Sequence, residues 1–214
     1  WAMTGKGRIY RIANPNQTLS NAPSVQELFR KGFDKINVNA LRNLLSHPDM
    51  RVRQAAQFQL VAEADTKSLG GIARRGKGLA RLHAVWGLGQ LARGGQNQDA
   101  AMVPLLNDAD GEVQTQAAKM LGEARSMAAV PSLINLLGSD NARAQAQAAI
   151  ALSKIGGDYT DAVVAMLRRN DDADPIVRHG GIMALQALGK ALPVARLSRD
   201  KSAAVRLATL IALR

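Results

Sequence analysis

The sequence predicts an all-α solenoid of about six two-helix repeats, preceded by a short N-terminal strand and a linker. Three observations carry this. A helical pattern returns at Val52-Arg53…Leu60, Ala80-Arg81…Leu88, Val113-Gln114…Leu121, Ala144-Gln145…Leu152, Val177-Arg178…Leu185 and Val205-Arg206…Leu213. Each copy has an aliphatic residue or Ala, then a basic residue or Gln, then Ala residues, with a Leu seven positions after the basic or Gln residue. The copies are 28, 33, 31, 33 and 28 residues apart, the length of a helix pair that buries its apolar face only by stacking on its neighbours. Aromatic residues are 3% of the chain while small Ala and Gly are abundant, which suits close helix packing better than a β-sandwich.

Taken in order, residues 1–12 stand outside the repeats. Gly7-Arg8-Ile9-Tyr10-Arg11-Ile12 alternates polar and apolar side chains with the period of a half-buried strand. A single strand has no partner here, so it is expected to be the last strand of an upstream sheet. Asn14-Pro15-Asn16 breaks regular structure, and residues 13–37 read as a linker that holds one short helix, Pro23 to Arg30, closed by Gly32.

The repeats occupy residues 38–214. In the first, Leu41, Leu44 and Leu45 mark one helix, His47-Pro48-Asp49 turns the chain, and Val52, Ala55, Ala56 and Leu60 face inward from the second. Val103, Leu105 and Leu106 play the first-helix part in repeat three. Val130, Leu133, Leu136 and Leu137 do so in repeat four, and Val163, Val164 and Leu167 in repeat five. Repeats two and six are expected to have short first helices, near Ser68–Ala73 and Leu192–Leu197, which would account for the two 28-residue spacings.

Bulk composition narrows the function. The absence of Cys removes thiol catalysis, Cys-ligated zinc and covalent haem attachment within these residues. The uncharged stretch Ser126 to Ser139 is 14 residues and contains Pro131, too short for a membrane span. A net charge of +11 favours acidic partners: nucleic acid, anionic lipid or an acidic protein surface. A start at Trp1 and an end at Arg214, one residue after a repeat's final Leu, read as a piece of a longer protein.

No constellation of catalytic residues emerges, and none is assigned as cofactor or metal ligand. Gly71-Ile72-Ala73-Arg74-Arg75-Gly76-Lys77-Gly78 approaches a phosphate-binding loop, but Gly78 replaces the required hydroxyl and the flanks are helical, so a turn between helices is expected. Asp108, Asp110 and Gly111 fail as a calcium loop, because Leu106 and Ala117 fall at ligand positions. Asp110, and the Asp171-Asp172-Asp174 cluster, are expected to cap helices. His47, His83 and His179 share no metal spacing. Arg53 follows Asp49 by four residues and Arg178 follows Asp174 by four, so each pair is expected to meet across one helical turn or to form a ladder between repeats. Residues 66–98 hold Lys67, Arg74, Arg75, Lys77, Arg81 and Arg93 with no acidic residue, and these six are the candidate interaction surface. With two Trp and two Tyr, platforms for stacking bases are scarce.

An Asp in the turn, then Val-Arg, Ala-Ala and Leu, resembles the HEAT repeats, especially the short bacterial type, over residues 38–214. Two segments carry a narrower resemblance: Pro48-Asp49-Met50-Arg51-Val52-Arg53-Gln54 with Gln57-Phe58, and Arg81-Leu82-His83-Ala84-Val85-Trp86-Gly87-Leu88. With Gly5 to Ile12 as a final propeller strand, they resemble the membrane-bound-dehydrogenase-like, haem-binding proteins of Planctomycetes and their relatives. In that family a β-propeller is followed by HEAT repeats and a cytochrome c domain with a CxxCH motif. The resemblance implies an exported, periplasmic parent in redox chemistry, with haem c only in parts other than these residues. The repeats would then link propeller to cytochrome as a non-enzymatic scaffold, docked on neighbouring domains or an acidic protein. The alternative is an independent basic HEAT-repeat protein that binds nucleic acid, similar in shape to alkylpurine glycosylases.

Overall fold

The computed structural model describes residues 22–187 and 192–214, and every regular element among them is a helix. The strand expected within residues 1–12 and most of the linker lie outside the described residues. Helix α1 (Ala22–Lys31) ends at Gly32, whose φ of +86° is a conformation Gly reaches without a Cβ clash.

Six helix pairs follow. The first helices are α2 (Val38–Leu44), α4 (Thr66–Arg75), α6 (Asp99–Met102), α8 (Val130–Leu136), α10 (Thr160–Asn170) and α12 (Leu192–Arg196). The second helices are α3 (Met50–Ala62), α5 (Gly78–Arg93), α7 (Gly111–Glu123), α9 (Ala142–Ile155), α11 (Pro175–Ala187) and α13 (Ala203–Ala212). Consecutive second helices pack on one another from α3 through α13, which makes one continuous layer, with the first helices packed on its other side. The structure is an α-solenoid of helix pairs.

The repeated residues fill the seam between layers. Val52, Leu60, Leu88, Val113, Leu121, Ala144, Leu152, Val177, Leu185 and Val205 are all buried, joined by Leu41, Leu45, Leu69, Leu133 and Leu167 from the first helices. Burying each large aliphatic side chain contributes about 1.5–3 kcal/mol against its exposed state. Repeat two departs from expectation: its first helix runs ten residues, Thr66–Arg75, and is not short. The close spacing comes instead from connections that use only residues 63–65 before α4 and Gly76-Lys77 after it. In repeat three the first helix is broken, because after Met102 the chain tightens into a 3-10 turn over Val103–Asn107 that contains Pro104. In repeat six α12 likewise passes into a 3-10 turn over Leu197–Arg199.

Turn residues start the second helices as expected. Side chains of Asp49, Asp110, Asn141 and Ser202 accept backbone N–H bonds from Arg51, Glu112, Arg143 and Val205, and Asp174 accepts from Ile176. The basic or Gln residue of the repeat then closes the turn from above. Gln114 donates to the carbonyl of Asp108 at 2.7 Å, and Gln145 donates to that of Ser139. Arg53 Nη1 donates to the carbonyls of His47 at 2.7 Å and Pro48 at 2.8 Å, and Arg206 Nη1 to those of Asp200 and Lys201. Helical side chains lean toward the N-terminus, so a residue in the first turn reaches back over the connection and occupies carbonyls with no backbone partner.

This corrects the expected ion pairs. Arg53 is not paired with Asp49, which binds Arg51 at 2.6 Å, and Arg178 is paired with Asp172 instead of Asp174. A ladder between repeats does exist: the repeated Arg81 pairs with Asp108, and residues outside the repeated position add Arg93–Glu123, Arg143–Glu112 and Arg168–Asp200.

Candidate groove on the second-helix layer

Three second helices, α3, α5 and α7, enclose a groove of about 560 Å³. Its apolar lining comes from side chains on the faces opposite the buried seam. Met50 is 63% exposed, Phe58 48% and Leu79 50%, and Trp86 is half-buried beside them. Helical periodicity explains the grouping: positions 50, 54 and 58 lie on one face of α3, while 79, 83, 86, 90 and 93 lie on one face of α5. Lys119 and Glu123 close it from α7. A smaller second hollow, about 330 Å³ between α7, α9 and α11, continues the same face through Lys119, Gln116, Ile150 and His179.

A hydrogen-bonded chain crosses this face. Trp86 Nε1 donates to Gln116 Oε1 at 2.8 Å, Gln116 Nε2 donates to Glu112 Oε1 at 2.8 Å, and Arg143 Nη1 donates to Glu112 Oε2 at 2.7 Å. It ties α5, α7 and α9 together and fixes the indole that walls the groove.

The floor is polar and buried. Arg53, Gln57 and His83 are 8%, 4% and 4% exposed. Arg53 Nε donates to His83 Nε2 at 3.2 Å, and His83 Nδ1 lies 2.8 Å from Gln57 Oε1. Since Nε2 accepts, the proton sits on Nδ1 and is donated to Gln57. Burial, with the neighbouring Arg53 charge, lowers the His83 pKa to about 4, so the imidazole is neutral at physiological pH. Its ring meets Trp86 edge-on, centroids 4.9 Å apart. Gln90 adds a buried carbonyl oxygen, Oε1, with no donor among the described residues.

The six basic residues grouped by sequence are divided by the fold. Arg93 stands on the groove rim, paired with Glu123. Arg81 is turned into the stack, where it donates to the Ala73 carbonyl at 2.9 Å and to both carboxylate oxygens of Asp108. Lys67 and Arg75 lie on the first-helix side, around a hollow they share with Arg42, and the Arg42–Asp65 pair at 3.4 Å adjoins it. Arg74 Nε donates to its own helix at Gly70, and Lys77 is exposed in the turn before α5.

The loop-like run Gly71 to Gly78 is the end of α4 and the start of α5. Asp108 and Asp110 serve Arg81 and the start of α7. His47 Nδ1 accepts from the Asp49 N–H at 3.0 Å. Among the described residues, no three His, Asp or Glu side chains are arranged to hold a metal ion, and no helix is long and apolar enough to cross a membrane.

Sequence reasoning did not single out Met50, Phe58, Leu79, Gln90 or Lys119 as a site. The available signal was a large apolar side chain placed on the outward face of a second helix, most plainly Phe58 two residues before the buried Leu60. The two segments that carry the narrower family resemblance supply most of the groove's wall and floor.

Comparison with known proteins agrees with the architecture. Residues 100–186 match the family model for HEAT repeats. Two engineered proteins of known crystal structure, both from the Northeast Structural Genomics Consortium, are similar in fold. Each is 21% identical to this chain with a TM-score of 0.50 over 83% of it, covering 96% of one engineered protein and 97% of the other. No curated protein matches the chain.

Proposed function

We propose that residues 38–214 are a non-catalytic interaction module, whose second-helix groove receives a segment of a neighbouring domain or partner protein. The observation that carries this reading is the outward placement of Met50, Phe58 and Leu79 around one groove. Large apolar side chains gathered on a surface mark a contact site more often than chance exposure does. The groove and the hollow beyond it run from α3 to α11, four helix spacings, or roughly 32–40 Å at 8–10 Å each. An extended segment of about ten residues covers that distance.

The finer reading places this module between a dehydrogenase-like propeller and a cytochrome c domain of an exported redox protein. Haem c would reside in that neighbour, and the periplasm would be its location. Its support is the resemblance of the residues 48–58 and 81–88 segments, which now meet in the groove. Of the six basic residues, Arg93 on the rim would contribute to this contact, while Lys67, Arg74, Arg75 and Lys77 would offer a separate basic surface to an acidic partner.

The test is to express the chain with the domains encoded on either side of it and measure their association. Phe58→Asp and Leu79→Asp should each weaken docking by tenfold or more without lowering the thermal midpoint, and unchanged docking would overturn the reading. A CxxCH motif encoded beyond Arg214 supports the cytochrome neighbour, and its absence removes it. Salt-dependent binding of duplex DNA, lost when Arg74, Arg75 and Lys77 are changed to Glu, would favour the nucleic-acid alternative instead.

A further inference from the structure

Arg53 is a buried cation without an acid. Among the described residues, its guanidinium makes no ion pair, whereas Arg81, the other well-buried Arg of these two repeats, has Asp108. Nε is committed to His83 and Nη1 to two backbone carbonyls. Among the described residues Nη2 has no acceptor, and it is not one of the fully enclosed unpartnered polar atoms, so this nitrogen keeps some exposure in a residue that lines the groove. Removing a charge from water is costly unless an opposite charge or further hydrogen bonds compensate, and neutral His83 supplies hydrogen bonding but no negative charge. Arg206 makes the same two carbonyl bonds at a half-exposed position, so those bonds belong to the repeat. What sets Arg53 apart is its burial beneath an apolar groove.

The rest of the groove shares the sign. Its titratable lining is Arg53, His83, Arg93, Lys119 and Glu123, and the one carboxylate is already taken by Arg93. Lys119 makes no ion pair among the described residues. Gln54 and Gln90 supply amide groups between them, and Met50, Phe58, Leu79 and Trp86 supply apolar surface on either side.

We propose that Arg53 Nη2 is a carboxylate-binding point, and that the segment received by the groove carries an Asp or Glu next to an apolar side chain. The acidic group lies on the floor against Arg53, within reach of Lys119, and the apolar neighbour rests on Phe58, Leu79 and Trp86. A pre-positioned guanidinium suits this role, because its donors are already fixed by the turn and by His83 and little side-chain freedom remains to be lost. The inference rests on the groove being a docking site and adds the chemistry of what docks.

Three blocked synthetic pentapeptides, Leu-Glu-Leu-Glu-Leu and its Gln and Lys counterparts, provide the probe, titrated into the whole isotope-labelled chain at low salt. The Trp86 indole N–H and Arg53 Nε–H signals should move on adding the Glu peptide. Affinity should fall about tenfold or more for Gln, as expected on losing a charge-assisted bond, and further for Lys. Arg53→Gln should abolish the Glu-over-Gln preference. That variant retains a side chain able to reach the turn carbonyl, as Gln114 and Gln145 do. If it fails to fold, the three-peptide ranking and the Arg53 signal still decide. Equal binding of the Glu and Gln peptides would overturn the carboxylate point while leaving the groove as a docking site. No binding of any peptide would overturn both.

Discussion

Arg53 and His83 share one hydrogen bond, Nε to Nε2 at 3.2 Å, and through it the turn of the first repeat is tied to the second helix of the next. The bond requires an uncharged imidazole, because a protonated ring has no lone pair to offer Arg53. A cation is thus held in place by a neutral group, itself oriented by Gln57. The same residues form the floor of the groove, so stability and recognition meet at this point.

Arg53→Ala removes two carbonyl contacts and the His83 bond, and it opens space beside a buried ring. A loss of about 3 kcal/mol is expected, in the range for breaking a buried hydrogen-bonded network. Arg53→Gln should cost less, about 1–2 kcal/mol, since one bond to the turn survives. Urea unfolding of the two variants checks the order, and equal losses would mean that the turn contact contributes little.

Stability should depend on pH through His83. The folded chain keeps this ring neutral down to about pH 4, whereas its ordinary value, which the unfolded chain has, is 6.5. As pH falls, the unfolded state takes up the proton first, so stability is fully present above about pH 6.5 and declines between 6.5 and 4. The full effect approaches about 3 kcal/mol at about 1.4 kcal/mol per pH unit of difference. Carboxylates contribute at lower pH. Burial raises the Asp108 pKa, but the Arg81 hydrogen bonds and the Asp110 N–H outweigh it and hold the group below the usual carboxylate value. Denaturant midpoints at pH 7.5 and 5 should separate in the native chain and converge in His83→Gln; an unchanged separation would assign the effect to other groups.

Arg81 and Asp108 are 13% and 17% exposed in their side chains and join two repeats. Asp108→Ala leaves a largely buried guanidinium with the Ala73 carbonyl alone, at an expected cost of about 3 kcal/mol. Replacing both residues by Met and Leu should recover most of it, because the desolvation cost leaves with the charges. A double-mutant cycle with a coupling above about 1 kcal/mol supports the pair as a joint between repeats, and additive losses would not.

The helix pairs, the buried Val and Leu positions and the capping turns were legible because burial repeats with a fixed period, and that period survives in the sequence. The partners of charged side chains were not. Asp49 and Arg53 have the spacing of a helical ion pair, yet Asp49 sits before the helix as its cap and Arg53 leans backwards over the turn. Sequence spacing alone also joined Lys67, Arg74, Arg75, Lys77, Arg81 and Arg93 into one surface. Two helices that point opposite ways through a stack send those residues to separate places. The groove was hidden for a related reason, since its lining comes from three repeats whose relative rotation no single repeat encodes.

Gly180 offers the sharpest test of how closely the second helices are packed. A Cβ added there would lie 2.6 Å from Ala146 Cα and 2.8 Å from the Ala146 carbonyl oxygen, so backbone, and not a movable side chain, stands in its way. Gly122 stands in the same relation to Ala151 on the other side of α9. Intrinsic helix preference alone would make Gly→Ala stabilising by about 1 kcal/mol. At Gly180 the overlap should reverse the sign, with a net loss of about 1–3 kcal/mol as α9 and α11 are forced apart. At Gly71, in the middle of α4, the new methyl would meet only Arg75 Nη2 at 3.5 Å, and there the preference should prevail. Thermal unfolding of Gly180→Ala and Gly71→Ala should therefore move in opposite directions. A shift of the same sign in both would mean that the second-helix layer is looser than a backbone-to-backbone contact between α9 and α11 allows.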